Sequence, residues 1–376
     1  LPIDIQYNQS ASQERGAPGG KTRILIGSTS FCKGGKVEIL GVAIIGTGPA
    51  AGEHIRAYCA NPRTQVRAIV SRNRDRGHAK AEEYGLQNCR GYDSLEEMLA
   101  APGIHIVSIC TPHHLHAEQG IACAQAGKHL VLEKPVALNL EELRRLQAAV
   151  TTAKVRTVVS FVLRWNPLFQ TIRALLAEGV TGTLFYGEVD YFQSIGPQRS
   201  GYEWNIKKEI GRSSLLTAGC HAVDGLRWFM GRKAVEVFAL ANFSAKNPLH
   251  YEYEPNSVTL VKFDDGSMGK VASSIECAMP YVFNIELLGD CGTIRNNQVF
   301  SRRWTGQNGW ATIPTVLPDS GDVHHHPFQE EIDHFVECIV NERESHANLE
   351  DAALTHEICF ASEISARENR PVKLPL

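Results

Sequence analysis

Short apolar runs alternate with amphipathic stretches between residues 39 and 161. Buried runs of β-branched and aliphatic residues separated by helical patterns are typical of repeated βαβ units, which build a parallel sheet. The helical stretches carry boundary signals, because Ser94 and Asn139 each precede a glutamate by three positions and Gly127 ends a helix that begins near His116. The pattern predicts a doubly wound α/β domain with the strands "ILGVAIIG", "QVRAIVS", "IHIVSICT", "HLVLEK" and "VRTVVSF".

The pattern changes after an amphipathic helix that ends at Gly179. Long alternating runs follow, and the turn "FDDGSMG" joins two of them as a hairpin, which is typical of antiparallel pairing. Two helical patterns close the chain, near "PFQEEIDHFVECIVN" and "EDAALTHEICFASEISAREN", and we expect both to cover or return across this sheet. The sequence thus predicts one domain over 39–161 and, over 162–376, an α+β domain with a large, mostly antiparallel open sheet.

Composition and charge narrow the class of protein. A chain of 376 residues with 43% hydrophobic residues is long enough for two domains. Its net charge of -3, without a basic cluster, excludes nucleic acid as an expected partner. The ten cysteines form no C-x-x-C pair, which favours free thiols in the cytoplasm. No apolar run reaches the roughly 18 residues that span a membrane.

Residues 1–38 differ from the rest because they are rich in Gly, Ser, Gln and Lys and contain one short apolar stretch. Two interpretations remain open: a leader outside the native fold, or an N-terminal arm that wraps a partner subunit.

The first predicted strand ends in a glycine-rich turn that opens a helix. This context gives the pattern G-x-G-x-x-A a physical meaning: one glycine makes the tight turn, the next lets a pyrophosphate approach, and the small third residue lets the helix pack closely. The N-terminal amides of that helix then face the anion. We therefore predict a Rossmann dinucleotide site rather than a plain turn, formed by Gly46, Thr47, Gly48, Pro49, Ala50 and Ala51.

The second strand ends in Ser71 and Arg72, about 20 residues after the turn, where an NAD site carries an acidic residue for the ribose hydroxyls. A hydroxyl and a guanidinium suit a 2′-phosphate, which favours NADP over NAD. The alternative is that both are solvated loop residues.

Further motifs follow in order along the chain. Glu133-Lys134-Pro135 ends a predicted parallel strand, where ligands of such sheets bind. With the glycine turn, Thr111-Pro112 followed by His116, the stretch from Arg164 to Pro167 and a later G-x-H-x-x-D, the chain resembles the glucose-fructose oxidoreductase / inositol dehydrogenase / rhizopine catabolism (Gfo/Idh/MocA) family. The resemblance covers nearly everything after residue 38.

The resemblance implies roles for individual residues. Lys134 lies beside the nicotinamide and contacts the reacting hydroxyl, and His221 is the proton acceptor. Substrate contacts are implied for Lys134, Trp204, Lys207, Thr217 and His221. Cofactor contacts are implied for Thr111, Pro112, His113, His116, Glu133, Lys134, Arg164 and Trp165.

One position departs from the family pattern. Many family dehydrogenases have an aspartate four residues before the histidine, where this chain has Thr217, which cannot take a proton at neutral pH. Either Lys134 and His221 suffice, or the reaction differs. Asp224, one helical turn after His221, either orients the imidazole or serves as a cap or ion-pair partner of Arg227.

Three consecutive histidines end at His326, just before a predicted helix. Consecutive residues do not converge on one face, so no metal site is expected, and we predict that imidazoles such as that of His325 hydrogen-bond a polyol substrate. The alternative is a simple approach to the helix.

These features favour an NAD(P)-dependent oxidoreductase acting on a hydroxyl or ketone of a sugar, glycoside or cyclitol. Two alternatives remain: a glycosidase or hydride-exchange enzyme with tightly bound NAD(H), and a non-enzymatic cofactor-binding regulator. Family members pair through the second sheet, so the resemblance implies a homodimer or homotetramer.

Overall fold

The first sheet is parallel, and helices alternate with its strands along the chain. The computed structural model describes residues 39–318 and 326–376, so the predicted N-terminal extension lies outside the described residues. The strands are β1 (Leu40–Ile45), β2 (Thr64–Val70), β3 (Arg90–Tyr92), β4 (Ile106–Ile109), β5 (His129–Leu132) and β6 (Thr157–Val159). They pair in the order β3-β2-β1-β4-β5-β6. Short β3 is the strand that the hydrophobic pattern missed.

The helices of this half begin where the sequence signals predict. Ser94 accepts a hydrogen bond from the Glu97 amide at 3.2 Å, and Asn139 accepts one from the Glu142 amide at 2.9 Å. Each side chain thereby satisfies an otherwise unpaired amide of the first turn. The helices are α1 (Pro49–Ala60), α2 (Arg74–Glu83), α3 (Leu95–Leu99), α4 (His116–Gln125) and α5 (Leu140–Ala153).

The second sheet is larger and mostly antiparallel. Its strands are β7 (Leu184–Phe192), β8 (Ala234–Asn242), β9 (Asn256–Phe263), β10 (Met268–Ser274), β11 (Val282–Gly289), β12 (Gly292–Arg295), β13 (Gln298–Ser301), β14 (Ala311–Thr312) and β15 (Val372–Lys373). They pair in the order β14-β13-β12-β11-β7-β10-β9-β8-β15, with β7 and β10 parallel. The predicted hairpin is β9 followed by β10. Both parts of the predicted fold class are therefore confirmed.

The helices of the second half divide between the two sheets. They are α6 (Pro167–Ala177), α7 (Tyr202–Asn205), α8 (Lys208–Gly211), α9 (Cys220–Met230), α10 (Phe328–Val340) and α11 (Leu349–Glu368). Helix α9 packs on β7 and β10, and α11 packs on β8. Among the helices of the described ranges, none is both long and apolar enough to cross a membrane.

Helix α10 corrects one expectation, because it does not cover the second sheet. It packs against α1, where Ile332, Phe335 and Val336 share a buried cluster with Ile55 and Tyr58. Its apolar side therefore completes the core of the first half, although it comes late in the sequence.

Candidate active site

A cleft of about 1190 Å³ opens at the carboxyl ends of β1, β2, β4 and β5, and residues of the second half form its opposite wall. The structure brings most of the predicted site residues together here. From the first half the cleft is lined by Gly46, Thr47, Gly48, Pro49, Ala50, Ser71, Arg72, Thr111, Pro112, His113, His116, Glu133 and Lys134. From the second half it is lined by Trp204, Thr217 and His221.

The glycine turn has the shape that a dinucleotide needs. Gly46 has φ +113°, and a Cβ there would lie 2.4 Å from the carbonyl oxygen of Cys110, so glycine is required. A Cβ on Gly48 would meet no atom of the described residues within 4 Å, which leaves open space in front of α1. Within the same ranges no side chain caps α1, and its first turn contains no acidic residue. These residues fit an anionic pyrophosphate at the helix N-terminus. Ala51 is buried behind the turn instead of lining the cleft.

Glu133 is held by a buried polar network beneath the cleft. Its Oε1 lies 3.3 Å from Nε2 of His54, whose Nδ1 lies 3.2 Å from the Ser108 hydroxyl, and Tyr58 Oη lies 2.9 Å from the same hydroxyl. Burial would raise the pKa of Glu133, but the hydrogen bond and charge of His54 and the charge of Lys134 hold it below its ordinary value. Glu133 is therefore a fixed negative charge next to Lys134.

The loops after β4 and β5 are tied together by His116. Its Nδ1 lies 2.7 Å from the carbonyl oxygen of Pro135, and its Nε2 lies 2.7 Å from that of Thr111. His116 thus lines the cleft while its ring nitrogens contact the backbone of both loops. This link fixes the position of Lys134 relative to the loop at 111–116.

Lys134 reaches across to the second half. Its Nζ donates a hydrogen bond of 3.0 Å to the backbone carbonyl of Thr217. The Thr217 hydroxyl points elsewhere, within 2.7 Å of the Gly211 carbonyl oxygen and 3.1 Å of Asn205 Oδ1. Thr217 therefore contacts the lysine through its main chain, and its side chain holds the segment around α7 and α8.

His221 stands at the start of α9, directly after a π-helical turn at Leu215–Gly219. The side chain is 7% exposed, and among the described residues its Nδ1 has no hydrogen-bond partner. Burial, followed by the charges of Lys134 and His326, lowers the pKa of His221 well below its ordinary value. The imidazole is therefore neutral at neutral pH, and a neutral imidazole can accept a proton.

Arg164 and Trp165 correct another expectation, because their side chains do not line the cleft. Arg164 is buried and donates to both carboxylate oxygens of Asp224, at 2.7 and 2.5 Å, and also to Asp351. Burial opposes its charge, but the two carboxylates outweigh that effect and raise the guanidinium pKa. Trp165 packs against His346, with ring centroids 4.9 Å apart.

The same ion pair decides the role of Asp224. Its carboxylate accepts hydrogen bonds from Arg164 and from the Thr355 hydroxyl, the latter at 3.1 Å. Nη1 of Arg227 is 3.9 Å from Oδ1 of Asp224. Asp224 therefore does not orient His221. Lys207 also lies outside the cleft lining, since its Nζ donates to Glu252 at 2.6 Å on the exposed surface. His325 lies outside the described residues.

Several lining residues were not predicted from the sequence. Arg76 lies in the first turn of α2, four positions after Arg72, and its place near the start of that helix could have signalled it. Tyr191 comes from β7, Gln193 directly follows that strand, and Asn205 comes from α7. Alternation along a strand does not tell which face meets a ligand, and these three carried no sequence signal. In the described part of the chain, no group of three His, Cys, Asp or Glu side chains is placed to hold a metal ion.

Fold and cleft together define a nicotinamide-cofactor oxidoreductase with a separate second domain. Residues 40–161 match the model of an oxidoreductase family with an NAD-binding Rossmann fold, Gfo/Idh/MocA, and residues 169–295 match a Gfo/Idh/MocA C-terminal domain. The chain belongs to the Gfo/Idh/MocA family.

Individual relatives are distant. An uncharacterized oxidoreductase of Synechocystis sp. is 35% identical over 196 residues, which span 51% of this chain and 52% of the relative. The scyllo-inositol 2-dehydrogenase (NAD(+)) of Bacillus subtilis is 24% identical over 336 residues, 88% of this chain and 95% of the relative. A solved levoglucosan dehydrogenase in complex with NADH and levoglucosan is 24% identical with a TM-score of 0.81, covering 90% of this chain and 100% of that chain.

Arg164→Met separates a structural role from cofactor contact. Removing the cation leaves the buried Asp224 carboxylate without its close cationic partner, whereas Asp351 keeps Arg227 at 3.2 Å. Breaking a buried pair in this way destabilises a protein by about 3–5 kcal/mol. We expect a clearly lower melting temperature in calorimetry, with the cofactor dissociation constant unchanged within about twofold where the variant is folded. Arg173→Met is the matched control, because Arg173 is half-buried and donates to the Trp228 carbonyl. An unchanged melting temperature with lost cofactor affinity would contradict this account.

Proposed function

We propose that this protein is a nicotinamide-dependent dehydrogenase that oxidises a secondary hydroxyl of a sugar, glycoside or cyclitol and reduces the ketone in the opposite direction. The observation that carries the proposal is that Lys134 and His221, whose Nδ1 has no hydrogen-bond partner among the described residues, line the same cleft as the glycine turn. A relative named for scyllo-inositol supports the substrate class. The polar wall around Trp204 and Asn205 suits a polyol.

The chemistry divides between two side chains. When bound, the nicotinamide ring supplies the acceptor for the hydride that leaves the substrate carbon. His221 accepts the hydroxyl proton as the oxygen becomes a carbonyl, since its imidazole is neutral and lines the same cleft as Lys134. Lys134, fixed by the Thr217 carbonyl, donates a hydrogen bond to the same oxygen and stabilises the negative charge that develops there. Thr217 thus contributes its backbone carbonyl, which positions Lys134, and needs no acidic side chain for this role.

We further propose NADP as the preferred cofactor. The amides at the start of α1 would hold the pyrophosphate, and Thr111, Pro112, His113, His116 and Glu133 would frame the nicotinamide end. Arg72 and Arg76 line the far end of the cleft. The nearby carboxylate, Asp93, is paired with Arg74 at 2.9 Å, which reduces its repulsion of a 2′-phosphate.

The open face of the second sheet supports a homodimer or homotetramer. Leu240, Leu260 and Met268 are 57%, 53% and 57% exposed, and cross-strand pairing puts them on the face opposite α9 and α11. An apolar patch of this kind marks an interaction surface. The nine cysteines of the described ranges are free thiols, which supports action in the cytoplasm.

Lys134→Met tests the catalytic proposal. First, purified protein is denatured, and any nicotinamide cofactor that it releases is identified by mass spectrometry. The absorbance of reduced cofactor is then followed for wild type and variant with inositols, sugars and glycosides as substrates. We expect kcat to fall by about 10²-fold or more, because a positioned proton-transfer group contributes about 10²–10⁴-fold. Lys154→Met, an exposed lysine after α5, is the control. Cofactor that copurifies without net turnover on any substrate would point instead to the hydrolase or hydride-exchange alternative.

Arg72→Ala tests cofactor choice. A charge-assisted hydrogen bond contributes about 1.5–3 kcal/mol, so we expect kcat/KM for NADP to fall by about 10- to 100-fold while the value for NAD stays within about twofold. Arg63→Ala is the matched control, because it alters an exposed arginine at the opposite end of β2. A wild-type preference for NAD would overturn the NADP proposal.

Leu260→Asp tests the oligomer. A buried unpaired carboxylate is unfavourable in an apolar interface, so we expect light scattering to report a monomer at concentrations where wild type is a dimer or tetramer. Leu354→Asp changes an exposed leucine of α11 and should leave assembly unchanged. A wild-type monomer across micromolar concentrations would refute the assembly.

A further inference from the structure

In the part of the chain that the structure describes, no carboxylate is recorded as a hydrogen-bond partner of the His221 ring. Asp224 is occupied by Arg164, and the Thr217 hydroxyl contacts Gly211 and Asn205. Nδ1 of His221 has no partner among the described residues. A proton acceptor must nevertheless be held in a defined orientation, because a small displacement of a catalytic group strongly reduces the rate of the reaction.

Two aromatic rings enclose the imidazole. The ring of Tyr191 lies nearly parallel to it, with centroids 6.3 Å apart and planes at 18°. Phe161 approaches with its edge from another direction, at 6.0 Å and 81°. Both are buried, and each comes from a different half of the chain. Packing of this kind restricts rotation of the imidazole without using its ring nitrogens.

Tyr191 is itself held in place. The rings of Tyr281 and Phe283 meet it edge to face, with centroids 5.4 and 6.4 Å away. Tyr191 lies on β7, which is inside the second sheet between β11 and β10. The ring against His221 is therefore backed by a rigid part of the fold.

The hydroxyl of Tyr191 has a separate contact. It donates a hydrogen bond of 2.7 Å to Oε1 of Gln193, and both side chains line the cleft. This hydrogen bond helps to hold the Gln193 amide in the cleft wall. Ring and hydroxyl face different groups, so they can be removed separately.

We propose that Tyr191 has two roles: its ring positions His221, and its hydroxyl positions Gln193 to bind a hydroxyl group of the polyol other than the reacting one. This inference rests on the proposed dehydrogenase function. Tyr191 is a positioning residue, and Gln193 is a specificity residue for the substrate.

Two substitutions at Tyr191 separate the roles in steady-state kinetics. Tyr191→Phe keeps the ring, so we expect KM for the polyol to rise by about three- to tenfold, the effect of one neutral hydrogen bond, with kcat changed by less than about twofold. Tyr191→Leu removes the ring, and we expect kcat to fall by about 10- to 100-fold. Gln193→Ala should raise KM as Tyr191→Phe does, and the double variant Tyr191→Phe/Gln193→Ala should add nothing further. Tyr84→Phe, outside the cleft, is the control.

A spectroscopic measurement tests the ring without relying on turnover. In histidine-labelled protein, the His221 resonance is assigned by its loss in His221→Asn. We expect one sharp signal in wild type and Tyr191→Phe, and a shifted and broadened signal in Tyr191→Leu, because the imidazole then samples several orientations. Phe161→Leu should broaden the same signal, which covers the case in which Tyr191→Leu does not fold.

The outcomes distinguish the proposed function from the two roles of Tyr191. Absence of polyol turnover in wild type refutes the proposed function, whatever the spectra give. Turnover in wild type with unchanged kcat and an unchanged His221 signal in Tyr191→Leu refutes the positioning role. An unchanged KM in both Tyr191→Phe and Gln193→Ala refutes the specificity role.

Discussion

The ion pairs of the buried Arg164 guanidinium are the interactions on which the arrangement of the cleft depends. Arg164 lies between the two sheets in sequence and binds Asp224 of α9 and Asp351 of α11. Helix α9 carries His221 at its first turn, and Lys134 extends to the Thr217 carbonyl just before it. The Arg164–Asp224 pair is buried on both sides and holds its partners tightly, because separating them leaves an uncompensated buried charge. Arg164, which follows β6, thereby ties α9 and α11 to the end of the first sheet, and α9 carries His221.

Around this anchor, each site group is positioned by contacts that leave its functional atoms available. Glu133 is fixed by His54, and the loops beside it are joined through His116. The combination places a fixed negative charge, an ammonium group and a neutral imidazole along one cleft. Such preorganised charges act more strongly in a partly buried site than in water. The unusual threonine at 217 fits this scheme, since the main chain supplies the contact to Lys134.

Local signals in the sequence predict local structure well here, whereas long-range packing escapes them. The caps at Ser94 and Asn139 and the turn at Gly46 depend on a few neighbouring residues, so their sequence patterns carry the geometry. The partners of Arg164 lie 60 and 187 positions away, and no local pattern encodes them. The same reason explains α10, whose amphipathic pattern predicts a helix but not that it packs on α1. Tyr191 lies on an ordinary alternating strand and Gln193 directly follows it, and only the folded structure shows that they line the cleft.

The proposed reaction transfers hydride from a polyol carbon in the cleft that Lys134 and His221 share. To observe this transfer, wild-type protein and oxidised cofactor are incubated with a polyol deuterated at its ring carbons, and the cofactor is analysed by mass spectrometry. We expect one deuterium per molecule in the reduced cofactor, and loss of the transfer in a Lys134→Met/His221→Asn double variant that still binds the cofactor. Cofactor that binds normally and never acquires deuterium from any polyol tested would refute the proposed reaction.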